Sequence, residues 1–353
     1  MIESGKDNTA AIRIRGAKMR ANGLGVLALG VLGMFGMIGS AMADQAVQWA
    51  PNARDNALPA RTTRAELYVV LDSYLAALKA QDPSRVAWAA QVRNTENNVA
   101  LMVGDGLWQT ITQLGSYDLR FADPQLGQVG YFGTVTETDE TAAFTIRLKV
   151  VNQKVTEVET LVVRQLDSGI KFEGQKFENK PALNEVLPPA QRLPRPRMIS
   201  LADGYFDTLQ LNDGTLFTKF HANCKRVENG VQTTNNPNFA VVPVSRLGCE
   251  EQFKAGNYRY DTRLRARRFM LVDEERGLVL AAGFIDHAGV PHEYLLTDGT
   301  KVRSPVHRPH SFYLFELFKL KDGAIEQIEA NFITVPYNMP SPWDDWARAD
   351  PAR

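Results

Sequence analysis

The chain has 353 residues and carries 40 basic and 40 acidic side chains, so its formal net charge is zero. A neutral chain gives no electrostatic reason to expect nucleic acid or an anionic membrane as a partner. With 44% hydrophobic residues it can bury a sizeable core, and its length predicts two domains.

The N-terminal residues have the pattern of a targeting segment. Basic residues precede an apolar stretch, Leu24 to Ile38, which is followed by Ala41-Met42-Ala43. This order is typical of a secretory signal cleaved after Ala43, and the apolar stretch is short for a membrane span. We predict a signal peptide over 1–43, a linker over 44–61, and a periplasmic or secreted mature protein without a membrane span. An uncleaved amphipathic anchor is the alternative.

Two stretches of the remaining sequence are alike in residue order and spacing. Tyr74 recurs as Tyr205 and Glu96 recurs as Glu228, at offsets of 131 and 132 residues. Several matches at a nearly constant offset indicate a duplication. The predicted segments are a first domain at 62–180, a proline-rich linker at 181–195, a second domain at 196–340 and a tail at 341–353.

Each copy predicts helices followed by long strands. Apolar residues at helical spacing predict a helix over 62–80 and a counterpart beginning near Met198. A short second helix is expected after each of these, then an asparagine-bearing hairpin, and then a third short helix at 104–114 or 248–255. The predicted strands are 116–122, 128–138, 141–152, 155–166 and 170–176 in the first copy, and 258–273, 277–287, 311–321 and 324–335 in the second.

This order of elements resembles the ketosteroid isomerase and scytalone dehydratase superfamily, which includes polyketide cyclases and nuclear transport factor two. The last two predicted strands run from Phe315 to Phe332 and are joined by the turn Lys321-Asp322-Gly323. They are similar to the last hairpin of that family. The resemblance implies an α+β fold of two cone-shaped domains, each with N-terminal helices packed on a curved antiparallel sheet. The second copy also resembles an uncharacterised domain of secreted fungal and bacterial proteins. The residues that carry this second likeness include Cys224, Gly248-Cys249, Asp273 to Gly277 and Val335-Pro336-Tyr337.

The second copy alone carries the histidines and cysteines. In an oxidising compartment Cys224 and Cys249 are expected to form a disulfide with each other, and neither is expected to act as a nucleophile. His287 and His310 bracket an insertion that the first copy lacks, and we take both as substrate-binding candidates. The insertion is a lid, a metal site or a plain surface loop, and no histidine pair has the helical spacing that would favour metal. The five histidines are His221, His287, His292, His307 and His310.

Glu316 is the most informative acidic residue. It shares a strand face with Phe312, Leu314 and Phe318, where an unpaired carboxylate is costly. Desolvation would raise its pKa and make it a general acid or base. The alternative is an ion pair with one of three alternating arginines on a neighbouring strand, Arg263, Arg265 and Arg267.

Four further residues complete the predicted site. His221, at the end of the short second helix, is either a general base or a helix-terminal charge. The resemblance to ketosteroid isomerase implies that Tyr205 donates to a developing oxyanion, although its recurrence as Tyr74 favours a structural role. Arg226 and Asn331 are predicted to bind the substrate, Arg226 through an anionic or carbonyl group.

These residues lead to a functional hypothesis. We predict an exported protein that binds a small, largely apolar molecule in its second domain. It would catalyse isomerisation, dehydration or lyase chemistry by general acid/base catalysis, without a cofactor or metal. The alternatives are a non-catalytic binding protein and a structural protein that uses its sheets as interfaces. We expect the first domain to pack on the second, and homodimer formation remains open.

Overall fold

The computed structural model describes residues 62–164, 177–178, 180–239 and 244–344. The predicted signal peptide and its linker, the strand at 170–176 and the tail beyond 344 lie outside the described residues.

The first half forms one six-stranded sheet with a long helix on it. Helix α1 (Arg64–Lys79) begins after Thr63, whose side chain and that of Glu66 satisfy each other's backbone N–H groups. The strands run in the order β2-β1-β6-β5-β4-β3, and only the β1–β6 pair is parallel. The other elements are β1 (Trp88–Glu96), β2 (Val99–Ala100), α2 (Leu107–Thr110), β3 (Ile111–Asp123), β4 (Gln128–Glu137), β5 (Glu140–Val151) and β6 (Lys154–Val163).

The proline-rich segment between the halves is packed against the protein. It forms α3 (Pro181–Asn184) and a 3-10 turn at Pro189–Gln191. Leu183 and Leu187 are fully buried, and the Leu187 N–H donates to the Glu275 carbonyl. The segment therefore fixes the chain between the two sheets rather than acting as a free spacer.

The second half repeats the first. Its strands run in the order β8-β7-β14-β13-β10-β9, which is the order of the first sheet, again with one parallel pair, β7–β14. The fold is therefore α+β with two duplicated halves, and the predicted insertion forms a separate hairpin of β11 and β12. The elements are α4 (Arg195–Leu211), β7 (Phe220–Glu228), β8 (Val231–Gln232), α5 (Cys249–Lys254), β9 (Arg263–Asp273), β10 (Leu278–His287), β11 (Glu293–Leu295), β12 (Lys301–Arg303), β13 (His310–Lys321) and β14 (Ala324–Val335).

A recurring asparagine explains part of the sequence repeat. Asn97 and Asn229 both take left-handed backbone conformations at the turn after the first strand of each sheet. Each side chain then continues the parallel ladder. Asn97 exchanges two hydrogen bonds with the backbone of Val162, and Asn229 does so with Phe332. Their recurrence is thus a requirement of the fold.

The two sheets pack face to face, and the helices cover their outer faces. Phe121 and Phe132 from the first sheet share one buried cluster with Tyr313 and Phe315 from the second. Each sheet has a separate core on its other face, against α1 or α4. Because side chains alternate along a strand, even-numbered residues of β13 face α4 and odd-numbered ones face the first sheet.

Buried charges also join the sheets. Glu159 on β6 accepts hydrogen bonds from Arg147 on β5, from Arg268 on β9 and from the Tyr313 hydroxyl. Burial raises the pKa of Glu159, but the charges of Arg268 and Arg147 lower it by more, so the pKa lies below the usual value. Trp343 covers this cluster, with its ring 4.9 Å from the Arg147 guanidinium and 5.5 Å from that of Arg268.

Candidate functional site

Strand register places two glutamates side by side in the second sheet. Glu228 on β7 lies beside Ala330 on β14, which lies beside Glu316 on β13, which lies beside Ala281 on β10. We call these four residues the floor row. Since neighbouring strands are separated by about 4.8 Å, the two glutamate Cα atoms are about 10 Å apart with only the Ala330 methyl between them. Both carboxyl groups therefore face the same space.

That space is a cavity of about 240 Å³ between the sheet, α4 and the loops beside them. Its size suits a molecule smaller than a typical drug. The apolar part of its wall comprises Leu209, Ile285, Pro305, Val306, Phe312, Leu314, Ala330 and Phe332. The polar part comprises Tyr205, Arg226, Glu228, Thr233, Tyr258, Tyr260, Asp261, His287, His310 and Glu316.

At the equivalent place in the first half, the described residues leave only a small void. The row that matches the floor row is Glu96, Thr160, Ile146 and Tyr131. Isoleucine thus replaces Glu316, and tyrosine replaces Ala281. The void lined by Glu96, Thr160 and Trp108 is only about 10 Å³. Among the described residues, the first half therefore has no acidic side chain at the position of Glu316 and little room for a ligand there.

Glu316 is a buried carboxyl group whose oxygens form no ion pair among the described residues. Its side chain is 3% exposed, and it forms no salt bridge within the described ranges. Burial and then the nearby Glu228 raise its pKa from the ordinary 4.5 to about 8, while Arg226 and a hydrogen bond from Tyr205 oppose this rise. Glu316 is accordingly protonated at neutral pH and has an O–H group to donate.

The alternative of an ion pair between Glu316 and an alternating arginine of β9 is wrong. Arg263 and Arg265 both bind Asp286, at 2.7 and 2.8 Å. Arg267 binds two aspartates of α4, Asp203 and Asp207. The pairing of β9 with β10 is irregular here and sets Arg263 opposite Asp286 and Arg265 opposite Phe284, two rows or more from Ala281 of the floor row.

Arg226 organises the cavity wall. It is 2% exposed, and its Nε atom lies 3.2 Å from a carboxylate oxygen of Glu228. Its Nη2 atom donates to the Gln252 side-chain carbonyl at 2.6 Å and also to the Tyr258 hydroxyl, and Nη1 reaches the Tyr205 hydroxyl at 3.5 Å. The protein itself thus uses most of the Arg226 donors, and the predicted role of Arg226 in substrate binding, in a residue that lines the cavity, stays a prediction.

Tyr205 links Arg226 to Glu316. It lies on α4 and is buried, and its hydroxyl contacts both side chains. Burial, followed by the nearby Glu316, raises the pKa of Tyr205 well above its usual value, so the hydroxyl keeps its proton. Its counterpart Tyr74 packs edge-on against Trp88 and Trp108 in the first half, where it has only a structural place.

A second polar group lies at the other end of the cavity. His287 and His310 are direct partners across β10 and β13, with ring centroids 4.6 Å apart. His287 Nε2 is 2.9 Å from Asp261 Oδ1. Burial raises the pKa of Asp261, and His287 opposes this. The insertion predicted to be a lid, metal site or surface loop thus contributes to the cavity wall, through Val306 and His310.

Two predicted site residues do not reach the cavity. His221 lies on β7 and not at the end of a helix, and its half-exposed ring accepts a hydrogen bond from the Asn223 N–H at 3.2 Å. The chain between α4 and β7 forms bends instead of the expected second helix. Asn331 is fully buried on the opposite face of β14, where it donates to Thr145 Oγ1 of the first sheet at 2.7 Å. Side chains alternate along β14, so Asn331 faces the first sheet while its neighbours Ala330 and Phe332 face the cavity.

Sequence reasoning missed several wall residues. Glu228 was assigned to the fold because it recurs, yet its counterpart Glu96 accepts from the Leu107 N–H of α2 whereas Glu228 pairs with Arg226 beside the cavity. Tyr258 and Asp261 come from an irregular loop without periodicity, which gives no signal by itself. The spacing Tyr-x-Tyr-Asp shortly after the second cysteine was the only available hint.

Cys224 and Cys249 form the predicted disulfide. It joins β7, two residues before Arg226, to the start of α5, which carries Gln252. The bond therefore supports the part of the wall on which Arg226 is held. Within the described part of the chain, no three histidine, cysteine or acidic side chains are grouped as a metal site would require, and no helix there is long and apolar enough to cross a membrane.

A family model for a domain of unknown function, DUF8021, matches residues 60–162 and 191–332. The match covers more than half of the sequence, and the chain belongs to this family. It takes in both halves, whereas the sequence resemblance to an uncharacterised domain concerned only the second. No curated protein matches the chain.

Three solved structures are similar to parts of the chain. A de novo designed protein with a curved beta-sheet is 16% identical, with 29% of this chain and 88% of that chain covered and a TM-score of 0.25. AclR, a candidate hydroxylase from Streptomyces galilaeus, is 15% identical, with 29% and 82% covered and a TM-score of 0.22. A candidate ketosteroid isomerase from Kribbella flavida is 14% identical, with 38% and 100% covered and a TM-score of 0.26.

Proposed function

We propose that this is an exported protein that binds a small, largely apolar molecule in the cavity of its second half and catalyses proton transfer on it without a cofactor. The overall reaction would be an isomerisation, a dehydration or a lyase-type cleavage. The disulfide supports export, because disulfides persist in oxidising compartments.

The observation that carries this proposal is the pair of glutamates in the floor row. Glu228 has the Arg226 guanidinium beside it, whereas Glu316 has burial and a second carboxylate around it. Environments that separate two neighbouring carboxyl groups in this way define an acid and a base. Glu316 is the proton donor and Glu228 the proton acceptor.

The step common to the three reactions is enolisation of a carbonyl compound. Glu228 takes a proton from the carbon next to the carbonyl, and the C–H electron pair forms the new C=C bond. The carbonyl π pair moves to oxygen, which receives the proton of Glu316. Glu228 then gives its proton to another carbon, or to a leaving group that the enol expels, while the enol oxygen returns its proton to Glu316 as the carbonyl re-forms. Tyr205 and Arg226 hold Glu316 and Glu228 in place for these transfers.

Proton exchange with solvent tests this proposal without knowledge of the natural substrate. We expect the protein to accelerate deuterium uptake by acetophenone methyl protons or by cyclohexanone in heavy water, measured by mass spectrometry. Glu228→Gln and Glu316→Gln should each slow the catalysed exchange about 100-fold or more, since each removes one proton-transfer group. The catalysed rate should also fall as pH rises through about 8, because Glu316 then loses its proton.

His221→Ala is the matched control, because His221 lies outside the cavity and should leave the exchange rate unchanged. An equal rate in wild type, Glu228→Gln and Glu316→Gln would show that the two glutamates do no chemistry. In that case retained binding of acetophenone would indicate a non-catalytic binding protein.

Filling the cavity should remove binding while keeping the fold. Ala281 lies beside Glu316, and Ala281→Tyr introduces the residue that the first half carries at this position, so the new ring should extend toward the cavity of about 240 Å³. Acetophenone binding, measured by calorimetry, should be lost with little change in thermal stability. Ala282→Tyr is the control. Ala282 points into the packed core between the sheets, where the same change should cost about 1–3 kcal/mol or more. Unaltered binding by Ala281→Tyr would place the ligand elsewhere.

A further inference from the structure

The polar groups of the cavity lie at two ends of an apolar middle. Glu316 and His310 face the cavity from the same strand, β13, six residues apart. That separation corresponds to about 20 Å between their Cα atoms in a β-strand. The residues of this face between them are Phe312 and Leu314, and Ile285 and Gly283 lie opposite these two on β10. A ligand that touches both ends must therefore be elongated.

The end at His310 accepts hydrogen bonds. His310 Nδ1 is 2.8 Å from the carbonyl oxygen of Arg308, which can only accept, so Nδ1 carries a hydrogen. Burial lowers the pKa of His310 against the opposing effect of this carbonyl, which favours the neutral ring. In that tautomer Nε2 has a free lone pair.

Asp261 adds a second acceptor at the same end. It is buried in the cavity wall, where its carboxyl oxygens can accept hydrogen bonds. One of its oxygens is beside His287 Nε2, at 2.9 Å. We call Asp261 and His310 the acceptor end.

The end at Glu316 has the opposite character. A protonated carboxyl donates its O–H, and the nearby Arg226 is held by protein side chains rather than left for an anion. We call Glu316 the donor end. The carboxylate of Glu228 on the floor also opposes a negatively charged ligand.

We propose that the cavity selects an elongated, uncharged molecule with a carbonyl oxygen at the donor end and a hydroxyl group at the acceptor end. This inference rests on the proposed function, since it names the class of substrate on which the two glutamates would act. The carbonyl binds Glu316, and the hydroxyl donates to His310 Nε2 or Asp261.

A matched set of four biphenyls tests the two ends separately. The first carries a para-aldehyde on one ring and a para-hydroxyl on the other, the second only the aldehyde, the third only the hydroxyl, and the fourth is biphenyl itself. Affinities are measured by calorimetry at about pH 6, where Glu316 is protonated. The first probe should bind about tenfold more tightly than either singly substituted probe, which corresponds to about 1.4 kcal/mol for the second hydrogen bond.

Variants assign each end to its residues. His310→Phe keeps an aromatic ring in the stack and should weaken only the two hydroxyl-bearing probes, by about tenfold. Glu316→Leu should weaken only the two aldehyde-bearing probes. Glu159→Gln is the control for loss of a buried carboxylate away from the cavity, and it should change none of the four affinities relative to one another.

Each outcome bears on the inference. Equal affinity for all four probes would overturn the two-ended selection while leaving an apolar binding cavity, and hence the proposed function, in place. Failure of every probe to bind would overturn both. A hydroxyl preference that is lost in Glu316→Leu instead of His310→Phe would reverse the orientation and contradict the assignment of the ends.

Discussion

Glu316→Gln should flatten the pH dependence of stability and leave the variant more stable than the wild type at alkaline pH. The pKa of Glu316 is about 8 in the folded protein and has an ordinary value of 4.5. Over this range the folded state keeps a proton that the unfolded state has lost. The resulting stabilisation is complete below 4.5, declines as pH rises, and is lost above about 8. The slope is about 1.4 kcal/mol per pH unit, whereas glutamine does not titrate.

Urea unfolding at about pH 5, 7 and 9, followed by tryptophan fluorescence, measures this effect. Wild type and Glu316→Gln should have similar free energies of unfolding at the lowest pH and should differ by several kcal/mol at the highest. Glu140→Gln, an exposed position on the first sheet, should follow the wild type throughout. Parallel pH profiles for wild type and Glu316→Gln would mean that Glu316 is ionised in the folded protein.

Glu159→Leu should destabilise the protein by about 3–5 kcal/mol, because it leaves buried guanidinium groups without their carboxylate. Arg147 would keep Glu157 and Gln128 as partners. Arg268 would lose the carboxylate that binds two of its side-chain nitrogens and would keep only the nearby charge of Asp344. The loss should be largest above the ordinary glutamate pKa of 4.5 and should shrink as pH falls toward the lowered pKa of Glu159, where the wild type loses the same charge.

The double variant Glu159→Leu with Arg268→Met separates charge from packing. Removing both charges should recover part of the lost free energy of unfolding, because an apolar pair of similar volume can replace a buried ion pair at little cost. Thermal and urea unfolding of the two single variants and the double variant give the coupling energy. If the two single losses simply add in the double variant, Glu159 and Arg268 are energetically independent.

The sequence predicts the strands of this fold well because their hydrophobic patterns are long and their turns are marked. The predicted 324–335 strand matches β14 residue for residue, and 311–321 differs from β13 by one. Alternation along β13 also places Glu316 correctly on an apolar face. The prediction of a short second helix in the second half is wrong. The residues that follow α4 are turn formers, and their sequence is compatible with either a short helix or the bends that are observed.

The site is predictable only where a single strand decides it. That Glu316 lies on an apolar face follows from β13 alone, but its neighbours Ala330, Ala281 and Glu228 follow from the register of three strand pairs. Register depends on turns and bulges that a pattern of alternation does not determine. For the same reason the sequence suggested Asn331 as a ligand contact, although it faces the first sheet.

The face-to-face packing of the two halves has a consequence for how such a site can arise. If two identical subunits met through the same sheets, any substitution that filled one cavity would fill the other as well. Joined in one chain, the halves are free to diverge. Tyr131 and Ile146 can complete a solid core in one half while Glu316 lines a cavity in the other. The first half then serves as a permanently attached subunit that shields the back of the sheet carrying the site.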